Sequence, residues 1–472
     1  MLKPNLSEAK KRTNKEVLTK SFEYTKLDNL KELGSGKKYF IRTYGCQMNE
    51  HDTENIKAIL ENMSYVETDN YEEANLIILN TCAIRENVHN KVFGMLGRIK
   101  NLKENKDDVI AAVCGCMAQE EVVVNEILEK YNYLDLVFGT HNIHNLPRLL
   151  EKAVSKKEIE IEVISGEGSV LENLPVKRDS KFKAWVNVML GCDKFCTYCI
   201  VPYTRGKQRS RNKDNIISEI KQLVEEGYSE VTLLGQNVNA YGKDLEGNYG
   251  LSNLLNDVAK TKIKRIRFVT SHPWDFTDDM IATIKSNDNI MPYIHLPVQS
   301  GSTKILKSMG RMYSKEEYMT LFNKIKSNIN NVTITTDIIV GFPGETEEDF
   351  KETLDLVETC KFDSAFTFAF SARVGTPASK MKETVSDETK KRRLNELNEV
   401  VNKYAKIAND KYLGKTVSVL LEKESNKEGF LSGYTDTMKL VNVKASEEML
   451  GQIVYVYIND VKTWSLNGEI RS

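Results

Sequence analysis

Six short apolar runs, each followed by a helical pattern, constrain the fold of the central part of this chain more than any other feature. Their length suits single buried strands, and amphipathic stretches such as 215–226, Leu251–Ala259 and Glu347–Cys360 lie between them. Such alternation builds a parallel sheet that helices cover. Six units are too many for a simple doubly wound domain and too few for an eight-unit barrel, so we predict an open (βα)6 partial barrel. The predicted strands are 185–190, 231–234, 266–269, 293–296, Thr333–Val340 and 366–370.

The N-terminal part repeats this alternation on a smaller scale. Apolar runs at 39–44, 76–79 and 109–113 are each followed by a helical pattern. Residues 37–153 are therefore predicted to form a doubly wound α/β domain with a parallel sheet. Residues 1–36 are polar and rich in Lys, and we interpret them as a loosely held extension without core-building power.

The composition changes twice more along the chain. Alternation at 158–164 indicates an edge strand, and the glycines and proline that follow indicate a linker over 154–177. A long helix capped by Ser386 and Asp387 closes the central domain, 178–408. Residues 411–472 carry five short strand patterns, at 416–421, 431–435, 439–443, 453–458 and 463–466, which predict a small closed β-barrel. Barrels of this size often bind RNA or oligonucleotides.

Cysteine usage gives the first chemical constraint. The chain has 472 residues and 8 Cys, no apolar run near the length of a membrane span and no apolar secretory segment at its start. These features predict a cytoplasmic protein without membrane contact, in which cysteines serve metal or redox chemistry rather than disulfides. Lys+Arg 66 against Asp+Glu 67 gives no indication of a nucleic-acid partner, although such a sum can conceal a local basic patch.

The sharpest motif is a C-x3-C-x2-C spacing directly after the first strand of the predicted open barrel. Its members, Cys192, Cys196 and Cys199, are called the cysteine loop below. Three thiolates in one short loop can fill three corners of a 4Fe–4S cluster and leave one iron open for a substrate or cofactor. The alternative is a structural zinc knuckle, but no fourth Cys or His follows at the usual spacing.

Three further cysteines stand at equivalent positions in the N-terminal domain. Cys46, Cys82 and Cys116, called the N-terminal cysteines below, each follow a predicted strand and precede a helix. The carboxyl ends of parallel strands meet at one edge of a sheet, so we expect these thiols to converge and to hold a second cluster. The alternative is three small buried apolar side chains. Cys114 and Cys360 lack this placement and are interpreted as packing residues.

Two other groups of polar residues lie close to this predicted chemistry. Arg205, Lys207, Arg209 and Arg211 follow the cysteine loop and are candidates for gripping RNA phosphates or the carboxylate of a cofactor. A solvated loop is the alternative. Of the histidines, His295 ends a barrel strand and is expected near the active-site mouth.

The cysteine loop, at the end of the first strand of a six-unit barrel, is similar to that of the radical S-adenosylmethionine (SAM) superfamily. The resemblance implies a cluster whose open iron chelates the methionine end of SAM and which, when reduced, cleaves the sulfonium. It places Tyr198 near the adenine, and it assigns the turn from Asp337 to Glu345 to the adenine side, although an ordinary βα turn would look similar. Gln236 and Asn237 lie where the superfamily has an acidic motif that holds the methionine amino group, and both depart from that pattern.

Together the parts resemble the methylthiotransferase family, which combines an N-terminal three-Cys domain, a radical SAM core and a C-terminal barrel called TRAM. The resemblance covers residues 37–472. Four motifs look most like the branch that modifies N(6)-dimethylallyladenosine in tRNA: YGCQMN from Tyr44, GTHNIHNLP from Gly139, VPYTRGK from Val201 and HLPVQSG from His295.

This resemblance implies an enzyme that uses two SAM molecules and two 4Fe–4S clusters. A sulfur carried at the N-terminal cysteines is methylated by the first SAM. The second SAM is cleaved at the cysteine loop to a 5'-deoxyadenosyl radical, which abstracts hydrogen from carbon 2 of dimethylallyladenosine at position 37. The implied substrates are the anticodon loops of tRNAs that read codons beginning with uridine. The implied partners are a flavodoxin- or ferredoxin-like electron donor and a sulfur carrier, and the chain is expected to be a monomer.

Three alternatives remain open from the sequence. Within the family, the substrate could be threonylcarbamoyl-adenosine in tRNA or an aspartate of a ribosomal protein. Outside it, the chain could be a non-catalytic iron–sulfur electron carrier, which would not produce 5'-deoxyadenosine. It could also be an RNA-binding module with a structural zinc, which would contain zinc rather than iron.

Overall fold

The structure is a computed structural model that describes residues 2–11, 21–23, 28–83, 86–155, 159–165 and 170–471. The chain forms a sheet domain, an open barrel and a small closed barrel, in that order. Its α-helices are Leu6–Lys11, Gln47–Glu61, Glu86–Asn105, Glu121–Lys130, Leu146–Ser155, Val201–Thr204, Lys213–Glu225, Leu251–Ala259, Asp278–Ser286, Thr303–Ser308, Lys315–Asn328, Glu347–Cys360 and Asp387–Asp410. None of the helices in these ranges is long and apolar enough to cross a bilayer.

The sheet domain contains six parallel strands with helices on both faces. Its central strand, Leu76–Thr81, is buried throughout, as expected where both faces of a parallel sheet are covered. Alternate residues enter different cores: Ile77 and Leu79 pack on one face, Leu76 and Ile78 on the other. The predicted doubly wound domain is therefore confirmed. In spatial order the strands are Val66–Glu67, Lys38–Thr43, Leu76–Thr81, Ile110–Gly115, Leu136–Phe138 and Glu160–Glu162.

Two boundary predictions need correction. The edge strand expected at 158–164 exists as Glu160–Glu162, but it pairs with Leu136–Phe138 and belongs to the sheet domain rather than to a linker. The N-terminal extension is also not loosely held where it is described. Leu2 donates a backbone hydrogen bond to Ile161 and accepts one from Val163, at 2.7 and 2.8 Å. The polar composition of the extension did not indicate these contacts, because backbone hydrogen bonds do not depend on apolar side chains.

Six parallel strands form the open barrel, as predicted. Three of them, Lys183–Asn187, Glu230–Leu234 and Arg265–Phe268, form one hydrogen-bonded group. The other three are Tyr293–His295, Thr333–Val340 and Ser364–Ala369. A parallel bridge between Ile266 and Ile290 links the two groups, and no pairing is found between the first and last of these six described strands. Ser386 caps the long closing helix by accepting from the backbone N–H of Thr389.

The C-terminal strands close into the predicted small barrel. Its strands, in hydrogen-bonded order, are Thr416–Glu424, Phe430–Thr435, Leu440–Lys444, Leu466–Ile470 and Ile453–Val461. The last strand in the chain was expected at 463–466 and instead begins at Leu466, because Lys462 donates a backbone hydrogen bond to Ser465 and closes a turn there.

The small barrel docks at the end of the open barrel where the strands begin. Arg265, the first residue of its strand, is buried and donates to the backbone oxygens of Tyr434 and Ser418 at 2.9 and 3.1 Å. Lys183, also a first residue, pairs with Glu422 at 2.5 Å. The small barrel therefore lies opposite the strand ends, where the cysteine loop follows the first strand.

Candidate active site

The N-terminal cysteines lie at neighbouring strand ends, as their spacing predicted. Cys46 begins the helix Gln47–Glu61, and its thiol lies 3.4 Å from the side-chain oxygen of Asn49. The Asn49 amide donates to the backbone oxygen of Thr81, the residue before Cys82. The same Thr81 oxygen accepts from the backbone N–H of Cys116 at 2.8 Å. One buried hydrogen-bonded unit thus sets the positions of all three cysteines.

The Cys116 thiol lies within electrostatic reach of the other two N-terminal cysteines. Burial is the main reason that the pKa of Cys116 is raised to about 12. The guanidinium of Arg205 acts to lower this pKa, whereas Cys82 and Cys46 raise it further. A buried thiol surrounded by thiols is a poor site for a free thiolate. A bound metal centre, which replaces the protons, suits this donor set. Cys114 points into the opposite core, so its interpretation as a packing residue stands.

The cysteine loop is anchored on both sides. Met189–Leu190 pairs with Arg209–Ser210, which closes the base of the loop. The backbone N–H of Cys192 donates to Gly206, and that of Thr197 donates to Met309, at 3.1 and 2.9 Å. The loop is therefore held by its own closing strand and by a segment near the fourth barrel strand.

Burial also affects the thiols of Cys192 and Cys199 in the cysteine loop. It raises the pKa of Cys192 to about 12, partly offset by the backbone N–H of Lys194, and it raises the pKa of Cys199 as well. Arg311, buried beneath the loop, donates to the sulfur of Cys196 at 3.4 Å. The sequence patterns did not single out Arg311, which lies 115 residues from Cys196.

Gln236 and Asn237 lie beside the cysteine loop. The Gln236 side-chain oxygen accepts from the backbone N–H of Gly191, directly before Cys192. Asn237 donates to Asp275 at 2.8 Å. The Gln236 amide nitrogen and the Asn237 side-chain oxygen are buried and have no hydrogen-bond partner among the described residues. One unpaired donor and one unpaired acceptor beside the loop fit a polar ligand.

Asp275 is a buried carboxylate next to Asn237. Burial alone would raise its pKa, but hydrogen bonds from Asn237, Lys243 and Lys194 outweigh burial and hold the pKa below its usual value. Lys194 lies inside the cysteine loop, 3.0 Å from Asp275. A buried carboxylate therefore lies directly beside Asn237, and it comes from the segment after the third strand.

The other expected cofactor residues lie near the fourth to sixth strand ends. Tyr198 packs against a small apolar cluster that includes Phe342 and Phe370. Asp337 lies 3.3 Å from the ring of His295. Glu345 is buried, accepts from the backbone of Gly341 and pairs with Arg393 at 2.7 Å, so in this structure it clamps the turn.

The expected basic patch at 205–211 needs correction. Arg205, Arg209 and Arg211 are buried, at 4%, 1% and 8% exposure. Arg205 pairs with Asp52 of the sheet domain, and Arg211 pairs with Glu172 and Glu219. The charges of Arg205 and Arg211 are balanced by these carboxylates, and Arg209 donates to the backbone oxygen of Arg205. Burial keeps all three guanidinium groups away from an RNA phosphate on the surface. Lys207, which is only half-buried, is the remaining candidate from this group.

The two cysteine groups come close at the interface between the sheet domain and the open barrel. Ala83, Cys116 and Ile200 form one small buried cluster, in which Ala83 and Ile200 directly follow Cys82 and Cys199. No three His, Cys, Asp or Glu side chains in the described ranges are grouped closely enough to hold a single metal ion. Three cysteines can still serve an iron–sulfur cluster, in which each thiolate binds a different iron.

Three family descriptions match successive parts of the chain. Residues 38–139 match the uncharacterized protein family UPF0004, residues 186–357 the radical SAM superfamily, and residues 410–470 the TRAM domain. These ranges follow the sheet domain, the open barrel and the small barrel. The radical SAM match implies a 4Fe–4S cluster and SAM, and it covers all three members of the cysteine loop.

Curated relatives match nearly the whole chain. A tRNA-2-methylthio-N(6)-dimethylallyladenosine synthase of Bacillus subtilis (strain 168) is 55% identical over 469 residues, covering 99% of this chain and 92% of the relative. A synthase of the same name from Oceanobacillus iheyensis is 55% identical over 467 residues, covering 98% and 90%.

A solved structure supports the fold. The radical S-adenosylmethionine methyltransferase TsrM from Kitasatospora setae, with cobalamin and a [4Fe-4S] cluster bound, superimposes with a TM-score of 0.53 and 12% identity. The match covers 72% of this chain and 77% of that chain. At this identity the likeness concerns the fold alone.

Proposed function

The chain belongs to the family of tRNA-2-methylthio-N(6)-dimethylallyladenosine synthases, and from this premise we propose that it transfers a methylthio group to carbon 2 of N(6)-dimethylallyladenosine in tRNA. The proposed target is position 37, beside the anticodon, in tRNAs that read codons beginning with uridine. One observation carries the proposal: two groups of three cysteines, at the strand ends of two α/β units, come together at a single interface. A simple electron carrier does not need this second group beside an open cluster.

The two cysteine groups have separate proposed roles. The cysteine loop would hold the 4Fe–4S cluster that binds SAM, and the N-terminal cysteines would hold a second 4Fe–4S cluster. When bound, these groups and SAM supply the sulfur, the methyl group and the means to break an unactivated aromatic C–H bond, which side-chain acid–base chemistry cannot do. The protein's part is alignment, and the shared interface provides it.

Residues beside the cysteine loop are proposed to orient the methionine end of SAM. The unpaired Asn237 oxygen is an acceptor for its amino group, and the unpaired Gln236 amide is a donor for its carboxylate. Asp275, held ionised by its hydrogen bonds, fixes Asn237 from behind. Tyr198 and Asp337 are proposed to lie on the adenine side, and Glu345 to shape the turn there.

The small barrel is proposed to bind the tRNA arm. A cleft of about 1090 Å³ on its surface is lined by four lysines and three carboxylates: Lys423, Lys427, Lys444 and Lys462, with Glu424, Asp460 and Glu469. Lys427 lies 3.9 Å from the centre of the Phe430 ring, so the cleft combines positive charge with an aromatic face. Such surfaces bind single-stranded RNA through phosphates and stacked bases. The target base must leave the anticodon-loop stack to reach the cysteine loop.

Mass spectrometry of tRNA nucleosides tests the substrate. A strain that lacks the protein should lose 2-methylthio-N(6)-dimethylallyladenosine and accumulate its unthiolated precursor, and re-expression should restore it. Unchanged 2-methylthio levels on this nucleoside would contradict the proposal. Loss from threonylcarbamoyl-adenosine or from a ribosomal aspartate would identify one of the other family substrates.

Two triple variants test the division of labour. Replacing Cys192, Cys196 and Cys199 by alanine should abolish SAM cleavage, because the cluster that binds SAM has lost its ligands. Replacing the N-terminal cysteines by alanines should leave 5'-deoxyadenosine formation but stop thiolation. Both are measured under anaerobic conditions with a flavodoxin- or ferredoxin-like donor and a sulfide source. The two-cluster proposal is wrong if the N-terminal variant still thiolates tRNA.

A further inference from the structure

Arg205 makes a buried contact between the open barrel and the N-terminal cysteines. Its Nε donates to the sulfur of Cys116 at 3.1 Å, and its Nη2 pairs with Asp52 at 2.5 Å. Asp52 lies on the helix that begins after Cys46. Arg205 itself follows Val201–Thr204, the short helix that leaves the cysteine loop. One guanidinium therefore joins the elements that present both cysteine groups.

The choice of arginine suits two partners at once. Its planar, permanently charged fork can donate in two directions, whereas a lysine ammonium is a single point charge on a flexible stem. A buried ion pair adds little stability by itself, because desolvation cancels much of the Coulombic gain. The contact with sulfur therefore calls for another role. Hydrogen bonds to cluster sulfurs and nearby charge are what tune the potential of iron–sulfur centres.

A parallel contact occurs at the other cysteine group. Arg311 is also buried, and it donates to the sulfur of Cys196 at 3.4 Å. By contrast, Arg211 is buried on the same segment as Arg205 but pairs with the carboxylates of Glu172 and Glu219. Arg211 is therefore a matched comparison: a buried arginine, paired with carboxylates, whose described contacts include no cysteine.

We propose that Arg205 is a positioning residue: with Asp52 it fixes the N-terminal cysteines against the open barrel, and its charge raises the reduction potential of the cluster that they hold. The inference rests on the two-cluster part of the proposed function. A cation close to the ligand sulfur favours the more negative, reduced cluster, so removing the cation lowers the potential. A lysine at position 205 would keep the positive charge but lose the planar guanidinium that donates in two directions. It should therefore restore part of the reduction potential without restoring the fixed positions of the N-terminal cysteines.

The test uses the full chain with Cys192, Cys196 and Cys199 replaced by alanine. All bound iron then belongs to the N-terminal cysteines. Arg205→Gln, Arg205→Lys and Arg211→Gln are made in this parent and reconstituted anaerobically. Iron per chain is measured, and the reduction potential is determined by redox titration followed by electron paramagnetic resonance. Hydrogen exchange of Gln47–Glu61 is measured separately, because Asp52 lies on that helix.

The expected parent holds about four irons. Arg205→Gln should lower the potential and speed exchange in Gln47–Glu61. Arg205→Lys should recover part of the potential while exchange stays fast, and Arg211→Gln should leave the potential at the parent value. If Arg205→Gln loads no iron but keeps its circular dichroism, while Arg211→Gln loads normally, the positioning role is supported.

Two results would count against the inference in distinguishable ways. A parent that binds four irons, with the same potential and exchange in Arg205→Gln, overturns the role of Arg205 and leaves the proposed function intact. A parent that binds no iron removes the second cluster, and with it both the inference and the two-cluster mechanism. These readouts require no tRNA, so they do not depend on the identity of the substrate.

Discussion

Two glycines set how single cysteines are presented. Gly191 precedes Cys192 with φ +75°, and a Cβ there would lie 1.9 Å from the backbone oxygen of Lys207. Gly115 precedes Cys116 with φ +92°, and a Cβ there would lie 2.4 Å from the oxygen of Thr81. Both contacts are with backbone, which cannot swing aside. Each cysteine group thus depends on one position that only glycine fits without strain.

If the chain holds the two clusters proposed above, alanine at Gly191 and at Gly115 should each remove the iron of a different cluster. Gly191→Ala should lose SAM cleavage and about half of the iron, because the loop must shift away from Gly206–Lys207. Gly115→Ala should lose the other half and keep cleavage. Gly227→Ala is a useful control, since it shares a positive φ of +89° but a Cβ there meets nothing within 4 Å. Full iron in Gly191→Ala would contradict the prediction.

Glu120 should make stability depend on pH. Burial raises its pKa to about 7 from 4.5, against the opposing charge of Arg373. The folded protein therefore holds a proton that the unfolded chain releases, so this contribution is complete below about pH 4.5 and is lost as pH rises through 7. At about 1.4 kcal/mol per pKa unit, the loss is up to about 3 kcal/mol.

Replacing Glu120 by glutamine removes this dependence. Compared with the wild type, Glu120→Gln should raise the thermal midpoint at pH 8 and change it little at pH 4.5. Glu129→Gln, on the exposed face of the helix Glu121–Lys130 that follows Glu120, should show no such difference between the two pH values. Equal effects of Glu120→Gln at both pH values would contradict the assigned cause.

At the level of residues, sequence spacing was informative only where partners are close along the chain. The C-x3-C-x2-C loop and the three strand-end cysteines could be found because each repeats a local pattern. Arg205 was found as a charge but given a surface role, because its partner Asp52 lies 153 residues away. Asp275 was missed for the same reason, since it approaches Asn237 from another strand end.

At the scale of elements, the N-terminal helix acts as a strap across two domains. The backbone N–H of Leu6 donates to Glu121 of the sheet domain at 2.9 Å, and the Leu6 side chain lies against Gly375 beside the open barrel. Ahead of the helix, Leu2 pairs with the edge strand Glu160–Glu162. The sequence predicted the edge strand but not its partner, because a polar segment can supply backbone pairing without an apolar pattern.

Removing this strap should loosen its neighbours selectively. Deletion of residues 2–11 should lower the melting temperature and speed hydrogen exchange in Glu160–Glu162, which loses the Leu2 hydrogen bonds. Exchange in the small barrel should not change. Leu6→Asp should reproduce part of the effect, whereas the exposed Lys3→Ser should not. Unaltered hydrogen exchange in Glu160–Glu162 after the deletion would show that the N-terminal segment does not stabilise the edge strand.

At the scale of the whole molecule, the sequence predicted the order of the three domains. It did not predict how the small barrel docks on the open barrel. Alternating apolar runs indicated a sheet domain, an open barrel and a small barrel, since each has its own periodicity. Nothing local indicates that Arg265 donates to oxygens 153 and 169 residues away. Side chains at the first residues of barrel strands make this contact, and they look in sequence like ordinary surface charges.

Loss of the Arg265 contacts should uncouple the small barrel without disturbing the chemistry. Hydrogen bonds from a charged donor contribute about 1.5–3 kcal/mol each, so Arg265→Met should give the small barrel a separate, lower melting transition. SAM cleavage without RNA should be unchanged, while the KM for tRNA should rise several-fold. Arg471→Met, on the small barrel beside Tyr457, is the matched control and should keep a single transition. An unchanged KM in Arg265→Met would contradict a role for docking in RNA capture.

Because the small barrel docks where the strands of the open barrel begin, it is separated from the cysteine loop by the length of those strands. The longest strand of the open barrel, Thr333–Val340, has 8 residues and so spans about 26 Å. An RNA that binds to the small barrel, as proposed above, must extend past that length before one of its bases can reach the cysteine loop. We therefore expect the enzyme to select its adenosine by distance from the gripped segment as well as by its chemistry, so that anticodon arms shortened by a few base pairs bind but are not modified.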